Sequence, residues 1–342
     1  MIPSLTGLLP QEITDKLSLD INFRGKQIFK WIANGAETFD DMTNLSKELR
    51  SHLNKTSKVY STRIKQTLVD PDGTIKLQIE LFDNRCIETV LLTDADGRKT
   101  ACVSCQAGCA MGCAFCQTGM IGFGRNLEAG EIVEQFFHLE KKAGKLDNIV
   151  FMGMGEPMLN LAAIKKTIDI LCSKEGRNLS KRRITLSTSG IISGIYDLAD
   201  NGPFLRLAVS LTVANEDLRK QLMPVTNTNK LQDLKNAIKY YTEKTGIRCT
   251  LEAVLIHDIN TNDKAAKEFI NFAKGIDVHF NLISWNRVPT LPFREPTKQE
   301  INYLMGKLEK AGISVTLRTK RGRTIGGACG QLGRSYAASD NT

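Results

Sequence analysis

From about residue 98 onward the chain repeats one pattern, a short apolar run followed by an amphipathic stretch at helical spacing, and this alternation limits the possible folds most. It implies a parallel sheet whose strands are joined by right-handed crossovers. The spacing predicts strands over 101–104, 148–152, 183–187, 205–211, 248–256, 278–283 and 314–318. Helices are expected over 128–142, 161–172, 194–199, 230–244, 263–274 and 298–311. Six such repeats suit an open, partial (β/α)6 barrel better than a closed eight-fold one, and active groups then belong at the carboxyl ends of the strands.

The pattern before residue 95 is different. Residues 25–33 carry Ile28, Phe29, Trp31 and Ile32, and residues 45–53 are also apolar at helical spacing, so two half-buried helices are expected. Residues 74–81 alternate cleanly after the turn Asp70-Pro71-Asp72-Gly73, which predicts a strand from a hairpin-like extension. The expected organisation is an accessory domain over 1–94, a core barrel over 95–324 and a C-terminal loop over 325–342.

With 342 residues, 42% of them hydrophobic, the chain can bury a large core, and no apolar run is long enough to span a bilayer. Lys and Arg total 46 against 37 Asp and Glu, a net +9 that favours a polyanionic partner and also serves ordinary solubility. Arg24, Lys26, Lys30, Lys47 and Arg50 on the first helices can meet phosphate, although a solvated face accounts for most of them. The opening Met1-Ile2-Pro3-Ser4 has neither a basic region nor an apolar one, so the expected compartment is the cytoplasm, where disulfides are disfavoured.

Three cysteines, Cys109, Cys113 and Cys116, stand at Cys-x-x-x-Cys-x-x-Cys spacing. A 4Fe-4S cluster normally takes four thiolates, so a tight trio leaves one iron open to an outside ligand. That is the arrangement of radical S-adenosylmethionine (SAM) enzymes. The competing readings are structural zinc, which usually wants Cys-x-x-Cys pairs and four closed ligands, and isolated thiols.

The predicted strand ends carry further candidates. Phe151-Met152-Gly153-Met154-Gly155-Glu156-Pro157 places two glycines and a carboxylate directly after a strand, where Glu156 can accept from an ammonium group. Ser187-Thr188-Ser189-Gly190, Ser210-Leu211-Thr212 and Trp285-Asn286 follow later strands. Each taken singly reads as turn or capping chemistry, and their shared position strengthens a ligand role. Of the remaining cysteines, Cys172 and Cys249 lie in apolar stretches as small core residues, whereas Cys329 sits in the glycine-flanked run Ile325-Gly326-Gly327-Ala328-Cys329-Gly330-Gln331-Leu332.

Over nearly its whole length the sequence resembles the RlmN/Cfr radical SAM methyltransferases of RNA adenosines. The residues that carry the likeness are Phe23 to Ile32, Asp41 to Lys47, Cys102-Val103-Ser104, the cysteine trio, Gly122 to Leu127, Gly153 to Pro157, Ser187 to Gly190 and Ala328 to Leu332. Gly155-Glu156-Pro157 and Trp285-Asn286 are worded closer to RlmN than to Cfr.

The resemblance implies a 4Fe-4S cluster on Cys109, Cys113 and Cys116, with SAM contacted by Gly155, Glu156, Ser187, Ser210, Leu211, Thr212 and Asn286. It implies that one SAM methylates Cys329 and that a second yields the radical that abstracts hydrogen from that methyl group. Cys102 then resolves the RNA adduct through a disulfide, and Glu88 accepts a proton. A strand carboxylate facing outward is the plainer reading of Glu88 on position alone. Where the family usually reads Ser-Leu-His this chain has Ser210-Leu211-Thr212, and Arg323, Gly326 and Gly327 replace acidic residues common before the methyl-carrying cysteine.

The implied substrate is carbon 2 of adenosine in 23S rRNA, with tRNA as a second candidate. An electron donor such as flavodoxin or ferredoxin is the implied protein partner, no membrane is involved, and the enzyme is expected to be a monomer. Two alternatives stay open. One is a Cfr-like or divergent enzyme acting on another adenine carbon or another RNA, and the other is a non-catalytic iron-sulfur protein that binds RNA.

Overall fold

A computed structural model describes residues 4–19 and 21–333. The opening residues 1–3 and the end of the expected C-terminal loop, 334–342, lie outside the described residues.

In chain order the helices are α1 (Pro10–Lys16), α2 (Asn22–Ala33), α3 (Lys47–Thr56), α4 (Gln117–Ile121), α5 (Ala129–Ala143), α6 (Leu161–Cys172), α7 (Ile192–Asn201), α8 (Glu216–Leu222), α9 (Leu231–Thr245), α10 (Asp263–Ala273) and α11 (Lys298–Lys310). The strands are β1 (Arg63–Val69), β2 (Ile75–Glu80), β3 (Cys86–Thr93), β4 (Lys99–Cys102), β5 (Gln106–Gly108), β6 (Phe123–Asn126), β7 (Asn148–Phe151), β8 (Ile184–Thr188), β9 (Arg206–Ser210), β10 (Cys249–Leu255), β11 (Val278–Ser284) and β12 (Val315–Leu317).

Ten strands form one sheet in the order β1-β2-β3-β4-β7-β8-β9-β10-β11-β12. From β4 through β12 every neighbouring pair is parallel, and helices cover the outer face. This is the α/β partial barrel that the alternation implies, open because β1 and β12 are its two edges. The hairpin-like element is larger than the sequence pattern suggests. β1, β2 and β3 pair antiparallel, and β3 pairs antiparallel with β4 from Val90↔Cys102 to Thr93↔Lys99. The sheet therefore runs across residue 95 without a break.

Local chemistry fixes the helix ends. At α11 the Thr297 hydroxyl accepts from Glu300 N at 3.2 Å while the Glu300 carboxylate accepts from Thr297 N at 2.7 Å, a reciprocal cap. Helix α3 starts after Ser46, whose hydroxyl accepts from Leu49 N, so it lies two residues later than the apolar spacing suggests. Gly25 lets α2 close on α1, because a Cβ there would stand 2.1 Å from Thr14 Oγ1 and 2.3 Å from the Pro10 carbonyl oxygen. Buried Glu134 of α5 accepts from Ser4 Oγ, Thr6 Oγ1, Ser61 N and Thr62 N, which ties the N-terminal segment to the barrel. No helix among the described residues is long and apolar enough to cross a membrane.

Candidate active site

The carboxyl ends of β7, β8, β9, β10 and β11 open onto a cavity with two adjoining lobes. The inner lobe, about 170 Å³, is lined by all three trio cysteines together with Gly155, Glu156, Ser187, Ser189, Ser210, Glu252, Asn286 and Cys329. The outer lobe, about 460 Å³, holds Cys102 and Cys329 and is rimmed by Arg98, Lys320 and Arg321. Met152, Ile283, Asn286, Arg318 and Cys329 line both lobes. Residues more than 200 positions apart thus converge because β4 and β12 belong to one sheet.

The trio is carried by a loop that leaves β5 and enters α4. Cys109 N donates to the Gly122 carbonyl at 2.8 Å, Cys116 N donates to the Cys113 carbonyl at 3.1 Å, and the Trp285 indole holds the Phe115 carbonyl at 3.0 Å. Burial pushes the Cys109 thiol up to about 12 and raises Cys113 and Cys116 as well. Three half-buried thiols around one small cavity are costly to ionise without a cation, and iron would supply that cation.

Opposite the trio, Glu156 is buried, with Oε2 accepting from Ser189 N at 2.7 Å and Oε1 from Met158 N at 3.0 Å. Burial raises its carboxyl, and those two amide donors pull the other way. Gly155 precedes it at φ +106°, where a Cβ would lie 2.6 Å from the Gln106 side chain, so only glycine carries the chain past that point. Gln106 in turn accepts from Glu156 N at 2.9 Å.

Two buried atoms lining the inner lobe, Ser189 Oγ and Asn286 Oδ1, have no protein partner. Orphaned polar atoms beside a buried carboxylate fit a ligand that brings its own ammonium and carboxylate groups. The residues present therefore fit both a cluster and the methionine moiety of SAM.

Three residues singled out from the sequence lie outside the lining. Leu211 and Thr212 are fully buried, and Thr212 has φ +55° and a hydroxyl without a partner. Glu88 is buried under the C-terminal segment, with Oε1 3.0 Å from Lys76 Nζ and Oε2 accepting from Gly333 N at 2.7 Å. Cys102 is buried at the outer lobe, and burial, reinforced by Cys329, pushes its thiol up to about 12.

Two charged side chains unread in the sequence complete the site. Arg219 of α8 is fully buried and donates to the Ser189, Ser210 and Leu211 carbonyls and to Thr226 Oγ1, so it locks the ends of β8 and β9. Burial lowers its guanidinium to about 10. Glu252, mid-sheet between Ser210 and Asn281, points a buried carboxylate at the inner lobe and accepts from Asn281 Nδ2 at 3.0 Å. Neither has a sequence signal, since a single Arg on a short polar helix and a single Glu within a strand are common.

The geometry agrees with known proteins. Residues 103–270 match the radical SAM superfamily, and residues 18–59 match the ribosomal RNA large subunit methyltransferase N-terminal domain. A probable dual-specificity RNA methyltransferase RlmN of Treponema denticola is 58% identical over 98% of this chain and 97% of its own length. The chain belongs to the RlmN family. The Alkaliphilus oremlandii RlmN relative is 42% identical over 92% of both chains. A radical SAM methyltransferase from Sphaerobacter thermophilus has the same fold, with a TM-score of 0.93 and 41% identity over 96% of this chain and 99% of that one. As an RlmN-family radical SAM methyltransferase, the protein is a transferase that uses a 4Fe-4S cluster and SAM.

Proposed function

We propose that the enzyme methylates carbon 2 of adenosine in 23S rRNA, and in tRNA as a second substrate, carrying the new carbon on Cys329. The observation that carries this reading is the position of Cys329, which lines the inner lobe with the trio and the outer lobe with Cys102. A sulfur at that junction can take up carbon on one side and deliver it on the other.

Bound at the inner lobe, the cluster and SAM supply the methyl group and the hydrogen-abstracting radical. Cys109, Cys113 and Cys116 hold the metal, and Glu156 receives the amino group. Asn286, whose Nδ2 donates to the Cys329 carbonyl at 3.1 Å, keeps Oδ1 for the ligand. Gly155, Ser187 and Ser210 line the same lobe, with Leu211 and Thr212 acting from behind it.

After the base is joined to the Cys329 methylene, the Cys102 thiolate attacks the Cys329 sulfur. The sulfur-carbon bond breaks, its electron pair leaves with the carbon, and that carbon takes a proton to become the methyl group. The resulting disulfide needs an outside thiol reductant. Arg318, on the lining beside both cysteines, opposes the burial that keeps Cys102 protonated. The radical formed when the base joins the Cys329 methylene gives one electron to a flavodoxin- or ferredoxin-type carrier and its proton to Glu88, which requires the hold of Glu88 on Gly333 to loosen during turnover. Arg98, Lys320 and Arg321 at the outer rim suit RNA phosphates. A flavodoxin- or ferredoxin-type donor, a monomeric state and the cytoplasm complete the proposal.

The test is nucleoside mass spectrometry of 23S rRNA and tRNA from cells with and without the gene. Loss of 2-methyladenosine supports the reading, loss of a different methyladenosine supports the Cfr-like alternative, and no change in either RNA overturns both.

A further inference from the structure

The segment that carries Cys329 is held at its base by side chains from the opposite end of the chain. Asp70 Oδ2 accepts from Thr324 N at 2.9 Å and from Thr324 Oγ1 at 2.7 Å, and Asp72 Oδ2 accepts from Gly322 N at 2.8 Å. Both carboxylates are braced within their own turn, Asp70 Oδ1 by Asp72 N at 3.1 Å and Asp72 Oδ1 by Thr74 N at 2.9 Å. Gly327 N closes back on the Gly322 carbonyl at 2.8 Å, so fixing Gly322 also fixes the chain two residues before Cys329.

The far end of the segment rests on the cluster side instead. Gln117 N, directly after Cys116, donates to the Gly330 carbonyl at 2.8 Å, and Thr118 Oγ1 donates to the Leu332 carbonyl at 2.8 Å. The Cys329 segment therefore spans from the turn between β1 and β2 to the loop that carries the trio. The stretch entering it is basic, with Arg318, Lys320, Arg321 and Arg323 within six positions. Two carboxylates on its backbone amides are charge-assisted acceptors, the stronger kind of hydrogen bond.

We propose that Asp70 and Asp72 are positioning residues that set where the Cys329 sulfur stands between the two lobes. The proposal rests on the reading of Cys329 as the carbon carrier. Releasing the base of the segment leaves the trio and Glu156 in place but lets the sulfur wander. The enzyme should then cleave SAM as before while transferring carbon to RNA less often per cleavage.

The test uses the full-length, anaerobically reconstituted enzyme with Asp70→Ala plus Asp72→Ala, Thr324→Val as a milder variant and Thr324→Ser as the conservative control. The double variant should show tryptic cleavage after Arg321 and Arg323 about tenfold faster, and a ratio of deoxyadenosine formed to methyl delivered about tenfold higher, the scale expected for losing hydrogen bonds to charged groups. Thr324→Val should move both readouts in the same direction by less, and Thr324→Ser should match the parent. Faster cleavage with an unchanged ratio reduces the carboxylates to structural supports and overturns the proposal, as does no change in either. If the double variant does not fold, Thr324→Val against Thr324→Ser decides on the same criteria. Mass analysis of the parent's Cys329 peptide separates the two readings. An unmethylated peptide after incubation with SAM sinks the carbon-carrier role, whereas loop cleavage still reports on Asp70 and Asp72.

Discussion

The Lys76 ammonium lies 3.0 Å from Glu88 Oε1, and the pair is almost wholly buried where β2 and β3 meet the C-terminal segment. Lys76 also donates to the Gly326 carbonyl at 3.3 Å, and Glu88 accepts from Gly333 N at 2.7 Å. One ion pair thus grips the Cys329 segment on both sides of the cysteine.

Removing Lys76 takes one hydrogen-bonded cationic partner from the buried Glu88 carboxylate. Lys76→Met should therefore cost about 1.5 to 3 kcal/mol of stability, the worth of a hydrogen bond to a charged group. Adding Glu88→Leu should deepen that loss, because Gly333 N then loses its acceptor as well. Methylation should stay lost in the double variant, since Glu88 is the proposed proton acceptor. Chemical denaturation and a methylation assay check both parts, and a fully active double variant would remove Glu88 from the chemistry.

His138 makes stability depend on pH. It is buried on α5 with Nε2 3.0 Å from Thr62 Oγ1, and burial lowers its pKa to about 4. An unfolded histidine titrates near 6.5, so in acid the unfolded chain takes up the proton first. Stability is therefore intact above about pH 6.5 and falls as pH drops toward 4, by on the order of 3 kcal/mol over the whole window. Urea midpoints should decline over that range in the parent and decline less in His138→Gln. Equal declines would assign the effect to other groups.

Thr212 offers a third check. Its buried hydroxyl has no partner, which by itself costs about 1 to 3 kcal/mol. Thr212→Val keeps the shape and removes the orphan, so it should raise the melting temperature and leave SAM affinity within about twofold. A clear loss of affinity would mean that the bound cofactor reaches this hydroxyl, as the family likeness implies for the position.

The parallel strands were legible because a strand buried on both faces reads as an unbroken apolar run, as in Leu207 to Val209, and α6 matches its predicted span at both ends. The partners of the hairpin strand were harder to see. β1 reads Arg-Ile-Lys-Gln-Thr-Leu-Val, with mostly exposed residues and no apolar face to mark it. β5 is three residues ending in Gly108, shorter than any periodicity can reveal. Among the candidate residues, those at strand ends gather at the cavity because topology puts strand ends there. Arg219 and Glu252 carry no local signal because their roles depend on which carbonyls and side chains the fold brings to them. The grip of Asp70 and Asp72 on Gly322 and Thr324 joins residues some 250 positions apart, and no local pattern encodes it.

The division of labour between Cys329 and Cys102 is tested most directly by denaturing gel analysis of Cys102→Ala incubated anaerobically with SAM, reductant and RNA. Both sulfurs line the outer lobe, and all nine cysteines are free thiols in the structure. Without the resolving thiolate, RNA should stay covalently bound through Cys329, in an adduct that survives denaturant and thiol treatment and disappears when Cys329→Ala is added. Normal turnover by Cys102→Ala with no trapped species would contradict the account.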